Sequence, residues 1–207
     1  MKKLALIATS FCFWGMLSAQ IQKSKGASGT NQPASSSTTA APSDADYFLA
    51  VAKITIKTGN DNKDNGAKLI LRVYPATGTD NYRKGYCQEN YTRELKKWAT
   101  DEIPLPRAGE FNQSFNSLAN YKQTGIMVDI LYDTWGGPYP PLDAWKIEEV
   151  SVTLEFKDKE GKSHPTMGSK IIHFPNSNQY LDFTKWHLFC KTDQYMNPLT
   201  PFITKRD

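Results

Sequence analysis

Residues 150–157 read Val150-Ser151-Val152-Thr153-Leu154-Glu155-Phe156-Lys157. Apolar side chains fill every second position, and small polar or charged ones fill the rest. In an extended chain successive side chains point to opposite faces, so this stretch is a strand with one face in a core and one in water. The alternation recurs elsewhere. Ala52, Ile54 and Ile56 alternate with Lys53, Thr55 and Lys57, and Leu69, Leu71 and Val73 with Lys68, Ile70 and Arg72. Ile126, Val128, Ile130 and Tyr132 alternate with Met127, Asp129 and Leu131. Residues 111–118, 169–174 and 185–191 are further strand candidates, the last with Trp186, Leu188 and Cys190 on one face. Turn chemistry separates the runs: a polar loop at 59–66, Asp158-Lys159-Glu160-Gly161 as a hairpin turn, and Trp135-Gly136-Gly137-Pro138-Tyr139-Pro140-Pro141, which excludes regular structure. The one helix expected is 89–98, where Leu95 and Trp98 stand three apart. The fold class is therefore all-β, an antiparallel β-sandwich of about seven to eight strands.

The ends of the chain read differently. Lys2 and Lys3 precede an almost wholly apolar run to Leu17, and Ser18-Ala19 leads into polar Gln20. This is the three-part pattern of a secretory signal peptide, residues 1–19, and the run is too short for a comfortable membrane span. The short basic start resembles bacterial leaders. Residues 20–46 are rich in Ser, Thr, Ala, Gly and Pro and lack the apolar side chains that offset ordering entropy, so they are expected as a disordered linker. The folded domain is expected over 47–207, in a secreted or periplasmic protein without a transmembrane segment in its mature form.

Composition bounds the chemistry. With 25 basic against 21 acidic residues, the chain has no charge excess of the kind a nucleic-acid binder concentrates. Three histidines and three cysteines leave little for a multi-ligand zinc site or an iron–sulfur cluster. Cys87 and Cys190 are expected to bridge in an oxidising compartment, and two buried free thiols are the alternative. No nucleophile elbow, P-loop or His-Glu-x-x-His motif is present. Glu148 and Glu149 are adjacent, so on a regular strand they face apart and do not pair as acid and base.

Two loops carry the candidate site. Asn60, Asp61, Asn62, Asp64 and Asn65 place three amides and two carboxylates within six residues. Oxygen donors in that density suit Ca2+, a hard cation taking six to eight oxygens, with Asp143 and Asp133 as further ligands if the loops meet. The same residues also suit an ion-free turn, and Lys63 stands inside the loop. The second loop carries Trp135, Tyr139 and Trp145, aromatic side chains able to enter a lipid interface, stack on a glycan or fill a protein pocket. Trp145 opens a strand pattern and also reads as core.

Three segments together resemble the PLAT (lipoxygenase homology) β-sandwich: Ile54-Thr55-Ile56-Lys57-Thr58-Gly59-Asn60-Asp61, then Asp143-Ala144-Trp145 leading into Val150-Ser151-Val152, then Trp186-His187-Leu188-Phe189-Cys190. The resemblance spans roughly 48–196. The charged stretch 75–107 is longer than the family pattern. What the resemblance implies is a non-catalytic module that docks to a lipid surface or a protein partner, in some members with calcium at the loop ends. The expected function is thus a secreted binding module. The alternatives are a carbohydrate-binding sandwich using aromatics on a sheet face, and a secreted enzyme or toxin with a non-standard site around 82–98.

Overall fold

In a computed structural model, described over residues 43–134 and 144–205, ten strands form two antiparallel sheets packed face to face. The first sheet runs β4 (Thr100–Pro104), β1 (Phe48–Thr58), β6 (Trp145–Lys157), β7 (Ser169–Phe174), and β8 (Gln179–Leu181) also pairs with β6. The second runs β10 (Phe202–Lys205), β9 (Lys185–Lys191), β5 (Ile126–Asp133), β2 (Lys68–Pro75), β3 (Tyr86–Tyr91). The sandwich expected from the alternation is the fold observed. Ile54, Ile56, Val152 and Leu154 from the first sheet meet Leu69, Leu71, Val128, Ile130 and Leu188 from the second, all buried. Burying one such side chain contributes about 1.5–3 kcal/mol.

Two irregularities in the β1–β6 ladder decide which way side chains point. A register shift between Leu49 and Val51 reverses the parity of β1, so Leu49 and Ala52 both face the core. A second shift, where Lys57 and Thr58 pair with Glu149 and Ile147, does the same for β6. Glu148 and Glu149 therefore do not face apart as regular alternation requires. Both carboxylates reach Lys57 Nζ, at 3.1 and 3.5 Å. A bulge adds one residue to a strand and turns the next side chain to the other face.

Two sequence expectations fail for local reasons. The stretch expected as a helix at 89–98 begins as β3, whose pairing with β2 is irregular around Asn90 (φ 55°), and ends in a turn with Trp98 at φ 64°. Its apolar pair was too small to hold a helix on the core, and Trp98 is 65% exposed. The strand expected at 111–118 is a run of turns. Asn112 Oδ1 accepts from Phe115 N, and buried Asn116 donates to Lys84 O and Asn112 O. Asn side chains here offer the backbone an alternative to a ladder. The run ends at Ser117, whose hydroxyl accepts from Asn120 N and caps α1 (Leu118–Thr124). Strands β3, β4, β8 and β10 carried no alternation that the sequence reading recognised.

The expected signal peptide and most of the expected linker lie outside the described residues. Residues 43–46, at the end of the expected linker, are described. Asp44 starts a short 3-10 turn, Asp44–Asp46, and its carboxylate bonds Lys122 Nζ at 2.7 Å and His164 Nε2 at 3.1 Å. His164 Nδ1 accepts the Met167 backbone N–H, which fixes the ring.

The expected Cys87–Cys190 bridge is not formed; both are buried free thiols. Cys87 pairs with Arg72 on the outer face of the second sheet, whereas Cys190 pairs with Val128 on its core face. Strands β2 and β5 lie between them. Three strand spacings amount to roughly 14 Å, twice the reach of a disulfide. Burial pushes the Cys190 thiol up to about 12 and raises Cys87 as well. Denaturing the unreduced protein with an alkylating reagent should label both residues completely in a peptide map. A peptide joining the two would contradict this topology.

Asp44 makes the fold's entry pH-sensitive. The Lys122 hydrogen bond, helped by its charge and by His164, holds the carboxyl below its ordinary range. A depressed folded pKa contributes stability above the unfolded value of about 3.9, lost as pH falls through the folded value. Asp44→Asn should therefore unfold earlier in urea at pH 7, and the gap from wild type should close in acid, as the pH falls through the depressed folded value.

Candidate functional site

The 60–65 loop joins β1 to β2 and is organised from inside. Lys63 is 0% exposed, and its Nζ donates to the carbonyls of Asp64 at 2.8 Å, Arg93 at 2.9 Å and Thr92 at 3.3 Å. Three of the side chains expected as calcium ligands, Asn60, Asn62 and Asn65, have hydrogen-bond partners of their own. Asn60 Oδ1 accepts from Tyr180 OH at 2.9 Å, and Asn65 Oδ1 accepts from Glu94 N at 2.8 Å. Asn62 Nδ2 donates to Asp64 Oδ1 and lies 3.5 Å from Glu94 Oε1. Asp61 contributes its main-chain oxygen, which accepts from Lys146 N. A calcium ion would have to share the carbonyls with a buried ammonium, and like charges at that distance repel strongly in a low-dielectric site. The three carbonyls that meet Lys63 are thus already held by a cation. Among the described residues no three of His, Cys, Asp and Glu gather as metal ligands.

The strand ends flanking the aromatic loop, Asp133 of β5 and Trp145 of β6, lie at the same end of the sandwich as this loop: Asp133 pairs with Lys68, and Lys146 N bonds Asp61 O. Trp135, Tyr139 and Asp143 lie outside the described residues. Trp145 is not a surface side chain. It is 0% exposed, tilted against Tyr132, with Nε1 donating to Thr58 Oγ1. An indole opening a β-strand at a core-facing position fills the end of the sandwich rather than docking a ligand.

The structure draws attention to a surface the sequence reading passed over, the outer face of the second sheet. Strand register sets its rows. One row is Ile70, Leu131, His187; the next is Cys87, Arg72, Asp129, Phe189, Phe202. A third begins with Tyr74 and Met127. At the centre Asp129, only 2% exposed, bonds Arg72 on one side at 3.1 Å and His187 Nε2 on the other. Burial opposes the Arg72 charge, and the Asp129 carboxylate outweighs it, leaving the guanidinium pKa raised. The Tyr82 ring lies 3.8 Å from the guanidinium carbon, a cation–π contact that closes one side. Gly85 brings this segment down onto β2: a Cβ there would sit 2.5 Å from Val73 O and 2.8 Å from Tyr74 Cβ. On the other side His187 stacks near Phe189, which stacks on Phe202 with centroids 4.9 Å apart and planes at 18°.

The outer face of the first sheet is the opposite in character. Lys53, Thr55 and Lys57 of β1 and Ser151, Thr153 and Glu155 of β6 point outward, with ion pairs such as Lys53–Glu102 at 2.9 Å. That exterior is mostly polar, with Ile171 of β7 (59% exposed) and Tyr180 of β8 as its apolar members. The other carries Ile70, Met127 and Leu131, half-buried, around a desolvated charge cluster.

Arg72, Asp129 and His187 orient one another without a nucleophile in the set. Cys87, the thiol on this face, stands beyond Arg72 from His187 and is held protonated by burial. A depression of 240 Å3 lies beside it, lined by Tyr82, Arg83, Glu89 and Glu110 among others. The sequence signal for the cluster was Asp129 itself, an acid between Val128 and Ile130 in an apolar run. Its partners stand on strands 57 and 58 residues away and could be found only from the register. No protein-family model matches the chain, and no curated protein or solved structure matches it.

Removing Asp129 would leave Arg72 buried without its counter-charge. Asp129→Ala should cost about 3–5 kcal/mol in urea unfolding, and the double replacement Arg72→Met with Asp129→Leu should recover most of it. A loss below about 1 kcal/mol for the single variant would mean that water reaches the cluster.

Proposed function

We propose that this chain is a secreted, non-catalytic binding module that docks a protein partner on the outer face of its second sheet. The observation that carries the reading is the contrast between the two sheet exteriors. A solvated sheet face is expected to be polar, as most of the first is apart from Ile171 and Tyr180; a face of clustered aliphatic and aromatic side chains suits contact with another surface. Ile70, Met127, Leu131 and Phe202 supply apolar area, and Arg72 with Tyr82 supplies residue types enriched where proteins meet. The signal-peptide pattern at 1–19 supports export. The resemblance to the PLAT sandwich supports docking as the role. Its calcium-assisted form is not carried into this proposal, because the Lys63 ammonium already holds carbonyls of Asp64, Thr92 and Arg93 beside that loop.

The aliphatic share of the face favours a protein over a lipid surface or a glycan. A glycan is the second reading, favoured by the Phe202 ring, 48% exposed and braced by Phe189, which offers one flat stacking surface.

Photo-cross-linking in the source cell tests the proposal. A photoreactive residue at Leu131 or Phe202 should give a discrete protein adduct, and one at Thr153 on the opposite sheet should not. Leu131→Lys should reduce the adduct from Phe202 at least roughly tenfold, with the melting midpoint moved by less than about 4 °C. Equal adducts from both faces would overturn the docking face. Binding of the purified protein to anionic vesicles or to a glycan array, abolished by Leu131→Lys and without a protein adduct, would replace the partner class.

A further inference from the structure

The 60–65 loop raises a separate question, why a lysine is buried in a segment so rich in oxygen donors. We propose that the Lys63 ammonium is the resident cation of this end of the sandwich, standing in place of the calcium ion expected there, so that the end is ordered without any metal.

The hydrogen bonds suit an ammonium. An ammonium has three N–H groups and no lone pair, and among the described residues Lys63 Nζ donates to carbonyl oxygens at 2.8, 2.9 and 3.3 Å. A neutral amine has two N–H groups and would turn its lone pair on one of those oxygens. The acceptors are main-chain oxygens, the same kind of ligand that calcium takes from loops. Their separation from the nitrogen is that of hydrogen bonds, longer than the ~2.3–2.6 Å of calcium coordination.

The oxygens come from two connections. Asp64 belongs to the β1–β2 loop, while Thr92 and Arg93 belong to the β3–β4 connection. Main-chain bonds run both ways between Lys63 and Leu95, at 3.1 and 3.0 Å, and fasten the lysine backbone to the same connection. Asn65 Oδ1 holds Glu94 N beside it. Trp98 N bonds Gly59 O, and Ala99 O accepts from Thr58 N, so the two connections stay in register along their length. The first sheet contributes β1 and β4 here, and the second contributes β2 and β3. One covalently attached cation therefore joins the two sheets at a point where a diffusible ion would otherwise do so. The cation is tethered to the chain, so ordering does not depend on the concentration of a free ion. This inference is independent of the docking face.

Melting the full chain with millimolar calcium and with chelator, beside two variants, tests the inference. Wild type should melt at the same temperature in both. Lys63→Met keeps the buried stem and removes the charge; its midpoint should fall by roughly 5–10 °C, equally with calcium and chelator. Lys63→Ala opens a hole lined by carbonyls. Its midpoint should fall and be partly restored by methylammonium chloride, more than by sodium chloride at equal ionic strength, with wild type unmoved by either. A calcium-dependent rise in wild type would overturn the inference. So would Lys63→Met melting at the wild-type temperature, or Lys63→Ala responding equally to the two salts. Should Lys63→Ala fail to fold, the wild-type calcium comparison and Lys63→Met still decide the matter.

Discussion

Taking charge out of water is the constraint on which this structure turns. An isolated ion in a protein interior costs several kcal/mol after relaxation, so a fold that buries one must bring its partners along. Here the requirement acts at two places. Lys63 is enclosed at one end of the sandwich and draws three carbonyl oxygens around its ammonium. Asp129 is enclosed on a sheet exterior and draws Arg72 and His187 from the strands on either side. In both cases the partners come from different strands or connections. Satisfying the charge therefore fixes how those segments lie against one another. The apolar core drives the sheets together without much preference for register, whereas these groups tolerate only one.

The core-facing half of the fold was legible because its signal is local. Val152, Leu154 and Phe156 announce a buried face within one short stretch, and Leu69, Leu71 and Val73 do the same. What the sequence did not disclose depends on pairing. The bulges in the β1–β6 ladder turn Glu148 and Glu149 onto one lysine, and no count of alternate residues anticipates an inserted residue. Cys87 and Cys190 were expected to bridge because two cysteines in an exported chain usually find each other. Strand order separates them by two intervening strands and opposite faces. Edge strands such as β3 and β10 escape notice for a related reason. They bury little, so selection for alternation is weak.

The candidate site divides in the same way. The Asx-rich loop was visible as composition, but composition does not say which atom each side chain will face. Asn60 and Asn65 spend their oxygens on Tyr180 and Glu94, both distant in sequence, and Lys63, which read as an interruption, is the loop's centre. Trp145 was visible as an aromatic beside a loop, yet its parity on β6 points it inward, where Tyr132 and Thr58 enclose it. The outer face of the second sheet was invisible as a surface, because its members come from five strands scattered over the chain.

The two buried charges also bear on what the second sheet can do. A flat apolar sheet exterior without polar anchors would invite indiscriminate association, the hazard of any exposed hydrophobic patch. Asp129 sets a fixed charge pair in the middle of this one, bonded to Arg72 through one guanidinium nitrogen. A partner that covered the face would have to leave Arg72 and His187 with their present bonds or replace them in kind, since an unpaired buried charge costs more than the apolar contact returns. Tyr82 over Arg72 and Phe189 against His187 hold both groups in place before any partner arrives. The face thus combines adhesive area with a rigid polar centre, and discrimination follows from the mismatch any wrong surface would meet there.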